Sequence, residues 1–363
     1  MIKIRIITLL VLYLSFLLLP CCAVNTGNSE TAIENIKSQE NTEESGTVLS
    51  QIWAGLGMGL FFPWESDVDT MLVNGFNELR IDIPDYQDTV WLTHSKAMLP
   101  RIIAKGAKVV WGVSSNSDNN TDYTITAENW PAFRQAILDN AQWAQNNGVY
   151  EFQLGNEEEG HIDKTTMTVD QLITNLKSVA TEVKTIFTNG NVSYSCRQDS
   201  ISNWVTAGKG DIDILASNVY IGGNGYYDDD WKTRIDRLVN AFGVDGTYLT
   251  EFNVSWTTLD DYSTDEAVQA EALREMIDFI KASGIKRAYY FCWKGELGVI
   301  KDDGTYRLLW YQALLNSEAE ESTTVPIKNY HNIISRYNCS YNKNNQIVSS
   351  ASGSVLRQPC NSL

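Results

Sequence analysis

The chain has 363 residues, of which 43% are hydrophobic and 20% are charged. This composition allows one large buried core, and barrels of about 250 residues fold as a single domain. The formal net charge of −17 argues against nucleic acid as a partner, because the phosphate backbone would be repelled. An acidic surface suits a neutral ligand, although by itself it indicates only solubility.

The first 23 residues have the pattern of an export signal peptide. Two basic residues precede an apolar run over residues 6–19, and small residues follow it. The run is short for a membrane span. Cleavage after it would release a secreted protein, whereas a lipid on Cys21 or Cys22 would anchor the chain at the cell surface, and an uncleaved anchor is a third interpretation. We therefore expect export, with membrane contact only through this N-terminal segment.

The two ends of the remaining chain are polar. Residues 24–49 are rich in Glu, Ser, Thr and Asn and cannot bury enough surface to offset chain entropy, so we expect a disordered linker. Residues 318–363 are expected to form a C-terminal tail or appendage, in which residues 347–355 pair as a small β element. In an exported chain, a disulfide between Cys339 and Cys360 is favoured because both lie in this polar tail.

Between residues 50 and 317, short apolar runs alternate with amphipathic segments. The runs predicted to be strands cover residues 52–60, 78–83, 107–113, 149–155, 192–196, 212–220, 247–251 and 287–293. The segments predicted to be helices cover residues 65–74, 90–105, 127–146, 169–187, 201–207, 231–242, 263–282 and 308–315. The count, the spacing and the apolar character of the strands predict a (β/α)8 barrel, a TIM barrel of the α/β class.

Local signals mark the starts of three helices. Thr168 and Gln171 have the spacing of a capping box, and Ser263 and Glu266 have the same spacing before a later helix. Pro131 lies in the first turn of its helix, where proline is tolerated.

The alternative fold is an open, doubly wound sheet, which usually binds a nucleotide at a glycine-rich first turn. Gly55, Gly57 and Gly59 lie in the first predicted strand but lack the G-x-G-x-x-G spacing, and bulky residues follow them. We interpret these glycines as space for close packing inside the barrel.

Barrel enzymes build their sites at the carboxyl ends of the strands. The fourth predicted strand is followed by Asn156 and Glu157, and the seventh ends in Glu251. Two carboxyl groups directed into one cleft are the groups that glycoside hydrolysis requires, one as acid and the other as nucleophile or base. Further candidate substrate contacts lie at strand ends or in the loops of the same face: Arg80, Trp111, Tyr220, Trp293, Trp64, Trp231 and Trp256.

This arrangement resembles the clan A glycoside hydrolases over the whole predicted barrel. In that clan an acid/base Glu follows strand four and is preceded by Asn, and a nucleophile Glu ends strand seven. Asn156, Glu157 and Glu251 match those positions. The resemblance further implies roles for an Arg at strand two, a Tyr after strand six and a Trp at strand eight, which correspond to Arg80, Tyr220 and Trp293.

The chain departs from the family 5 pattern at several of these positions. Many members have Pro after the acid/base, where this chain has Glu158. Many also have His near strand three or four and His two residues before the strand-six Tyr, where this chain has Ser114 or Ser115 and Asn218. The departures leave the clan resemblance in place but do not define a family or a substrate.

The resemblance implies a retaining mechanism on a β-linked glucan or mannan cut internally, with carboxyl groups about 5–5.5 Å apart. Glu157 would need a raised pKa to act as the acid, and Glu251 would stay ionised. Glu158 or Glu159 could be the acid instead. The alternatives at the level of function are a carbohydrate-binding barrel without catalysis and a transglycosylase with the same residues.

Other hydrolase classes lack their sequence signals. The chain has three His residues, none in a ligand-spaced pair, which argues against a metal-dependent barrel hydrolase. A serine triad lacks its G-x-S-x-G motif. We therefore expect no metal or cofactor, and a monomer that acts on an oligo- or polysaccharide.

Overall fold

The structure is a computed structural model that describes residues 52–61, 63–81, 86–115, 124–221, 231–255 and 257–318, together with the backbone of 339–341 and 347–349. All of them belong to one compact unit, residues 50–363. The predicted signal peptide and linker lie outside the described residues, as does Cys360 of the predicted disulfide.

Eight parallel strands close into a barrel, and each strand pairs with its neighbours in the sequence. The strands are β1 (Leu56–Leu60), β2 (Glu78–Ile81), β3 (Lys108–Gly112), β4 (Glu151–Asn156), β5 (Val192–Cys196), β6 (Ile214–Tyr220), β7 (Leu249–Asn253) and β8 (Ala288–Tyr290). Leu56 of β1 lies opposite Ala288 of β8, and this parallel pairing closes the sheet. The predicted (β/α)8 barrel is confirmed.

Helices surround the barrel between and after the strands. They are α1 (Glu65–Val73), α2 (Thr89–Ala104), α3 (Trp130–Asn146), α4 (Val169–Ile186), α5 (Ile201–Ala207), α6 (Trp231–Phe242), α7 (Leu259–Tyr262), α8 (Glu266–Ala282) and α9 (Leu308–Leu315). The short helix α7 is additional to the predicted ones. Within the described ranges, no helix is long and apolar enough to cross a membrane.

The helix starts test the predicted caps. Thr168 and Gln171 form both hydrogen bonds of a capping box at α4, as predicted. The predicted box of Ser263 and Glu266 is wrong. Asp265 caps α8 by accepting a hydrogen bond from the Ala267 N–H at 2.8 Å, and the Glu266 carboxylate instead accepts one from the backbone of α9. A tertiary contact therefore uses the side chain that the local pattern assigned to the cap.

The main hydrophobic core fills the layer between the strands and the helices. Trp111 of β3 packs on Trp143 of α3 with ring centroids 4.9 Å apart, and Tyr290 of β8 packs on Trp310 of α9. Inside the barrel, a Cβ on Gly57 would lie 2.5 Å from the ring of Tyr289. The glycines of β1 therefore provide packing space, as expected.

A buried ion pair lies at the amino end of the barrel strands. Arg287 donates to the Glu151 carboxylate at 2.5 Å, and Tyr248 donates to the same carboxylate at 2.6 Å. The guanidinium also lies 4.1 Å from the centroid of the Tyr248 ring, within cation–π range. Glu151 is fully buried, so these partners replace the contacts with water that its side chain has lost.

Replacing Arg287 by Met is expected to destabilise the protein by about 3 kcal/mol or more, because it leaves the Glu151 carboxylate buried without its cation. The measurement is thermal or urea unfolding. Arg274→Met is the control, since Arg274 pairs with Glu271 on the surface and its loss should cost about 1 kcal/mol or less. Equal losses from the two substitutions would contradict this assignment.

Near the C-terminus, Cys339–Tyr341 (β9) pairs antiparallel with Ile347–Ser349 (β10). This pairing overlaps the β element predicted over residues 347–355. The hairpin is a separate two-stranded sheet and does not extend the barrel.

Candidate active site

Arg80 organises the carboxyl end of the barrel. Its Nη1 donates to Glu251 Oε1, its Nη2 to Asn156 Oδ1 and its Nε to Gln153 Oε1, each at 2.8 Å. The Arg80 side chain is 1% exposed, so this charge is held away from water. A guanidinium with three fixed donors holds side chains from β4 and β7 in a set relation to each other.

Glu251 is held as a carboxylate by donors on both oxygens. Arg80 donates to one oxygen, and the Tyr220 hydroxyl donates to the other. Hydrogen bonds and a cation favour the charged form of the carboxyl group. Burial, followed by the charge of Glu251, raises the pKa of Tyr220 well above its ordinary value, so the phenol keeps the proton that it donates.

The pairing register shifts on both sides of β7 near Glu251. One shift lies between Ser217 and Asn218 of β6, and the other lies between Leu249 and Phe252 of β7 itself. Such irregularities change the direction of side chains and are common next to active sites. Glu251 lies within the second of these irregular segments.

Asn156 is oriented by two donors to the same atom. Its Oδ1 accepts hydrogen bonds from Arg80 and, at 3.2 Å, from Asn218 Nδ2. The Asn218 amide is itself fixed, because its Oδ1 accepts from Ser195 at 2.9 Å and from Thr250 at 2.8 Å. This network leaves the Asn156 amide nitrogen as a donor, with no hydrogen-bond partner among the residues that the structure describes.

Glu157 directly follows β4 in a left-handed backbone conformation, with φ 57° and ψ 30°. The pKa of its carboxyl group is raised from 4.5 to about 8, first by burial and then by the negative charge of Glu251. Arg197 opposes this increase, and Glu159 adds to it. Burial and the charge of Glu251 therefore favour the protonated form of Glu157, and the structure brings the two predicted carboxyl groups together.

The next two glutamates have internal partners. The Glu158 carboxylate accepts from the backbone N–H of Asn156 at 3.0 Å, and the Glu159 carboxylate accepts from Trp204 Nε1 at 2.5 Å. Both side chains are buried. These contacts favour Glu157 over its two neighbours as the group that faces a ligand.

The predicted aromatic contacts take different positions. Trp111 does not join the site, because its fully buried ring packs against α3 on the helix side of the barrel. Trp293 is 1% exposed and packs edge-on against Tyr311 of α9. Trp231 is buried against Phe279. None of these three rings lies open at the surface.

Trp64 is the predicted aromatic residue that is open to solvent. It is 51% exposed, directly precedes α1, and its ring contacts that of His94 with centroids 4.7 Å apart. Trp256 lies outside the described residues.

Phe291, and not the predicted Trp293, directly follows the end of β8. β8 ends at Tyr290, three residues before the predicted end. A Cβ on Gly59 of β1 would lie 3.1 Å from the Phe291 ring, and this ring packs against that of Phe61 with centroids 4.8 Å apart, at the carboxyl end of β1. The predicted strand ran three residues too far, and Trp293 was therefore placed at its end.

Sequence reasoning missed Gln153 and Arg197. Gln153 bonds Arg80, and the charge of Arg197 acts on the Glu157 carboxyl. The direction of Gln153 could have been predicted, because it is two residues from Glu151 and its side chain therefore lies on the same face of β4. Arg197 follows β5, a strand for which the pattern indicated no functional group.

No protein-family model matches the sequence, and no curated protein matches it. Solved structures do match. An exo-beta-1,4-mannosidase from Opitutaceae bacterium strain TAV5 is 16% identical with a TM-score of 0.57, and the match covers 72% of this chain and 58% of that one. The chain thus spans less than two thirds of the length of that mannosidase structure.

Two further structures match over nearly their whole length. The GH53 catalytic domain of Ignisphaera aggregans is 15% identical with a TM-score of 0.55, covering 77% of this chain and 99% of that one. The catalytic domain of the major endoglucanase from Xanthomonas campestris pv. campestris is 14% identical with a TM-score of 0.52, covering 72% and 94%. These matching structures are clan A glycoside hydrolases, and at such identities their likeness to this chain is one of fold.

Proposed function

We propose that this protein is a retaining glycoside hydrolase that cleaves β-linked glycosides, with Glu157 as acid/base and Glu251 as nucleophile. The observation that carries the proposal is the pair of unlike carboxyl groups at one end of the barrel. Glu157 has a pKa raised to about 8, and Glu251 is ion-paired with Arg80. Two carboxyl groups with different protonation states are the acid and the nucleophile of this reaction.

The proposed reaction has two steps. Glu157 protonates the glycosidic oxygen while Glu251 attacks the anomeric carbon, which gives a covalent glycosyl-enzyme and releases the leaving group. Glu157, now ionised, then takes a proton from water, and that water displaces Glu251. The Asn156 amide nitrogen is placed to donate to the sugar 2-hydroxyl, a contact that strengthens in the transition state.

We propose a β-glucan or a β-mannan as the substrate, cut internally. The matching structures include an endoglucanase and an exo-beta-1,4-mannosidase, which supports this substrate class through the fold alone. The exposed Trp64 supplies apolar surface of the kind that sugar rings bind. A sugar contact for Trp256 stays a prediction.

The test is incubation with a panel of soluble β-glucans and β-mannans, with reducing ends and viscosity measured together. An internal cut lowers viscosity early, while an exo cut releases reducing ends at nearly constant viscosity. NMR of the first product formed shows whether the β-anomer is retained. Binding without product would indicate the carbohydrate-binding alternative, and longer oligosaccharides would indicate transglycosylation.

Arg80→Lys is expected to lower kcat/KM on an active substrate by about 10²-fold, because lysine cannot hold Glu251, Asn156 and Gln153 together. The matched control is Arg274→Lys on the surface, which should leave kcat/KM unchanged. Retention of parental kcat/KM by Arg80→Lys would contradict the role given to Arg80.

We also propose that the protein is exported and acts as a monomer. The first 23 residues support export. Cell fractionation, the intact mass of the mature chain and size-exclusion chromatography test the two statements, and the mass separates a free N-terminus from a lipid-modified cysteine.

A further inference from the structure

Glu158, the residue after the proposed acid/base, is fully buried and carries an ionisable group that the reaction does not use. Its Oε1 accepts hydrogen bonds from the backbone N–H of Asn156 at 3.0 Å and of Ser115 at 3.2 Å, and its Oε2 accepts from the Ser115 hydroxyl. The side chain therefore turns back toward the strand and joins the ends of β3 and β4. Buried carboxyl groups persist where such donors satisfy them.

The surrounding chain is shaped to receive this side chain. A Cβ on Gly155 would lie 2.8 Å from the Glu158 Cγ, so glycine is required there for the carboxylate to fold over β4. The backbone N–H of Glu158 donates to the Tyr194 hydroxyl of β5 at 3.1 Å. Glu158 thus contacts three successive strands.

The left-handed backbone conformation of Glu157 needs support from neighbouring contacts. A non-glycine residue at φ 57° is uncommon and persists only where neighbouring contacts hold it. Its own N–H donates to Ser195 O at 2.8 Å, and the residues on both sides are held through the Glu158 carboxylate and N–H. Together these bonds fix the peptide groups that set the direction of the Glu157 side chain.

Proline at position 158, common in family 5, could not do this. It lacks the N–H that binds Tyr194, and it has no carboxylate for Asn156 and Ser115. It also restricts the residue before it toward extended conformations, whereas Glu157 is left-handed. This chain therefore positions its proposed acid/base through contacts of Glu158 that a proline could not make.

We infer that Glu158 is a positioning residue whose buried carboxylate holds Glu157 in its left-handed conformation and so directs the proposed acid/base. The inference rests on the proposed function. It makes a specific claim, that Glu158 affects the reaction only through proton transfer by Glu157, of which kcat/KM reports the transfer to the leaving group.

The test compares two substrates that differ in their need for an acid. Phenyl β-glycosides have a poor leaving group, whereas 2,4-dinitrophenyl β-glycosides leave without protonation. Using cellobiosides and mannobiosides of both kinds, Glu158→Gln is expected to lower kcat/KM by about tenfold or more on the phenyl substrate and by about twofold or less on the other. A general loss of structure would lower both equally.

Glu151→Gln is the matched control, because Glu151 is an equally buried glutamate of β4 at the opposite end of the barrel. Its effect should be the same on both substrates. If Glu158→Gln does not fold, as judged by circular dichroism, Ser115→Ala replaces it and should show a smaller loss of the same leaving-group dependence. Where both variants fold, their effects should be less than additive.

The experiment distinguishes failure of the positioning role from failure of the proposed function. Equal losses on the two substrates, or no loss, overturn the positioning role while leaving the proposed function in place. A parent protein inactive on both substrates and on the polysaccharide panel overturns the proposed function itself.

Discussion

Glu251→Gln is expected to lower kcat by about 10⁴-fold or more on any substrate that the parent cleaves. The amide is nearly the same size as the carboxylate but cannot form the covalent glycosyl-enzyme. It also removes the negative charge that Arg80 neutralises at 2.8 Å and that accepts a hydrogen bond from the Tyr220 hydroxyl. The measurement is the initial rate of reducing-end release, with enough enzyme to detect a slow residual rate.

Glu271→Gln is the control for this experiment, since Glu271 lies on the surface of α8 and pairs with Arg274. Its rate should equal that of the parent. Glu251→Ala supplies a second readout, because azide can occupy the space of the lost carboxylate and restore turnover as a glycosyl azide. A Glu251→Gln rate equal to the parental rate would end the nucleophile assignment.

Glu157→Gln is expected to lower kcat/KM on phenyl β-glycosides by about 10²–10⁴-fold, the range attributed to a general acid. The loss on 2,4-dinitrophenyl β-glycosides should be much smaller, because that leaving group needs no proton. This dependence on the leaving group distinguishes an acid from a residue that only maintains the shape of the site.

The pH profile gives an independent test of Glu157. Burial and the charge of Glu251 raise the pKa of Glu157 to about 8, so its acid form is present below that pH and is lost as the pH rises through it. The parental kcat/KM should therefore fall above about pH 8, and Glu157→Gln should lack this alkaline decline. An unchanged decline in the variant would assign it to another group.

The hydrophobic pattern of the sequence was sufficient to predict the barrel and the positions of the two carboxyl residues. Strands show as apolar runs, and helices show as amphipathic segments, because both depend on residues that are near each other in the chain. The carboxyl ends of parallel strands all lie on one face of a barrel. The sequence alone therefore placed Glu157 after strand four and Glu251 at strand seven on the same face.

Side-chain direction was harder to predict where a strand ends or its register shifts. The sequence could not show that β8 ends at Tyr290, and so Trp293 was placed at its end. It could not show that Trp111 points toward α3, since one residue of register reverses the face of a strand.

The amino-acid sequence by itself determined the fold, the strand order and the pair of carboxyl positions, because these follow from local hydrophobic periodicity and from the geometry of parallel strands. The tertiary structure decided which of three consecutive glutamates lies beside Glu251, and which two are bound by internal donors. That choice depends on burial, on the left-handed backbone at Glu157 and on donors from β3, β5 and α5. Those groups are distant in the chain and become neighbours only when the barrel closes.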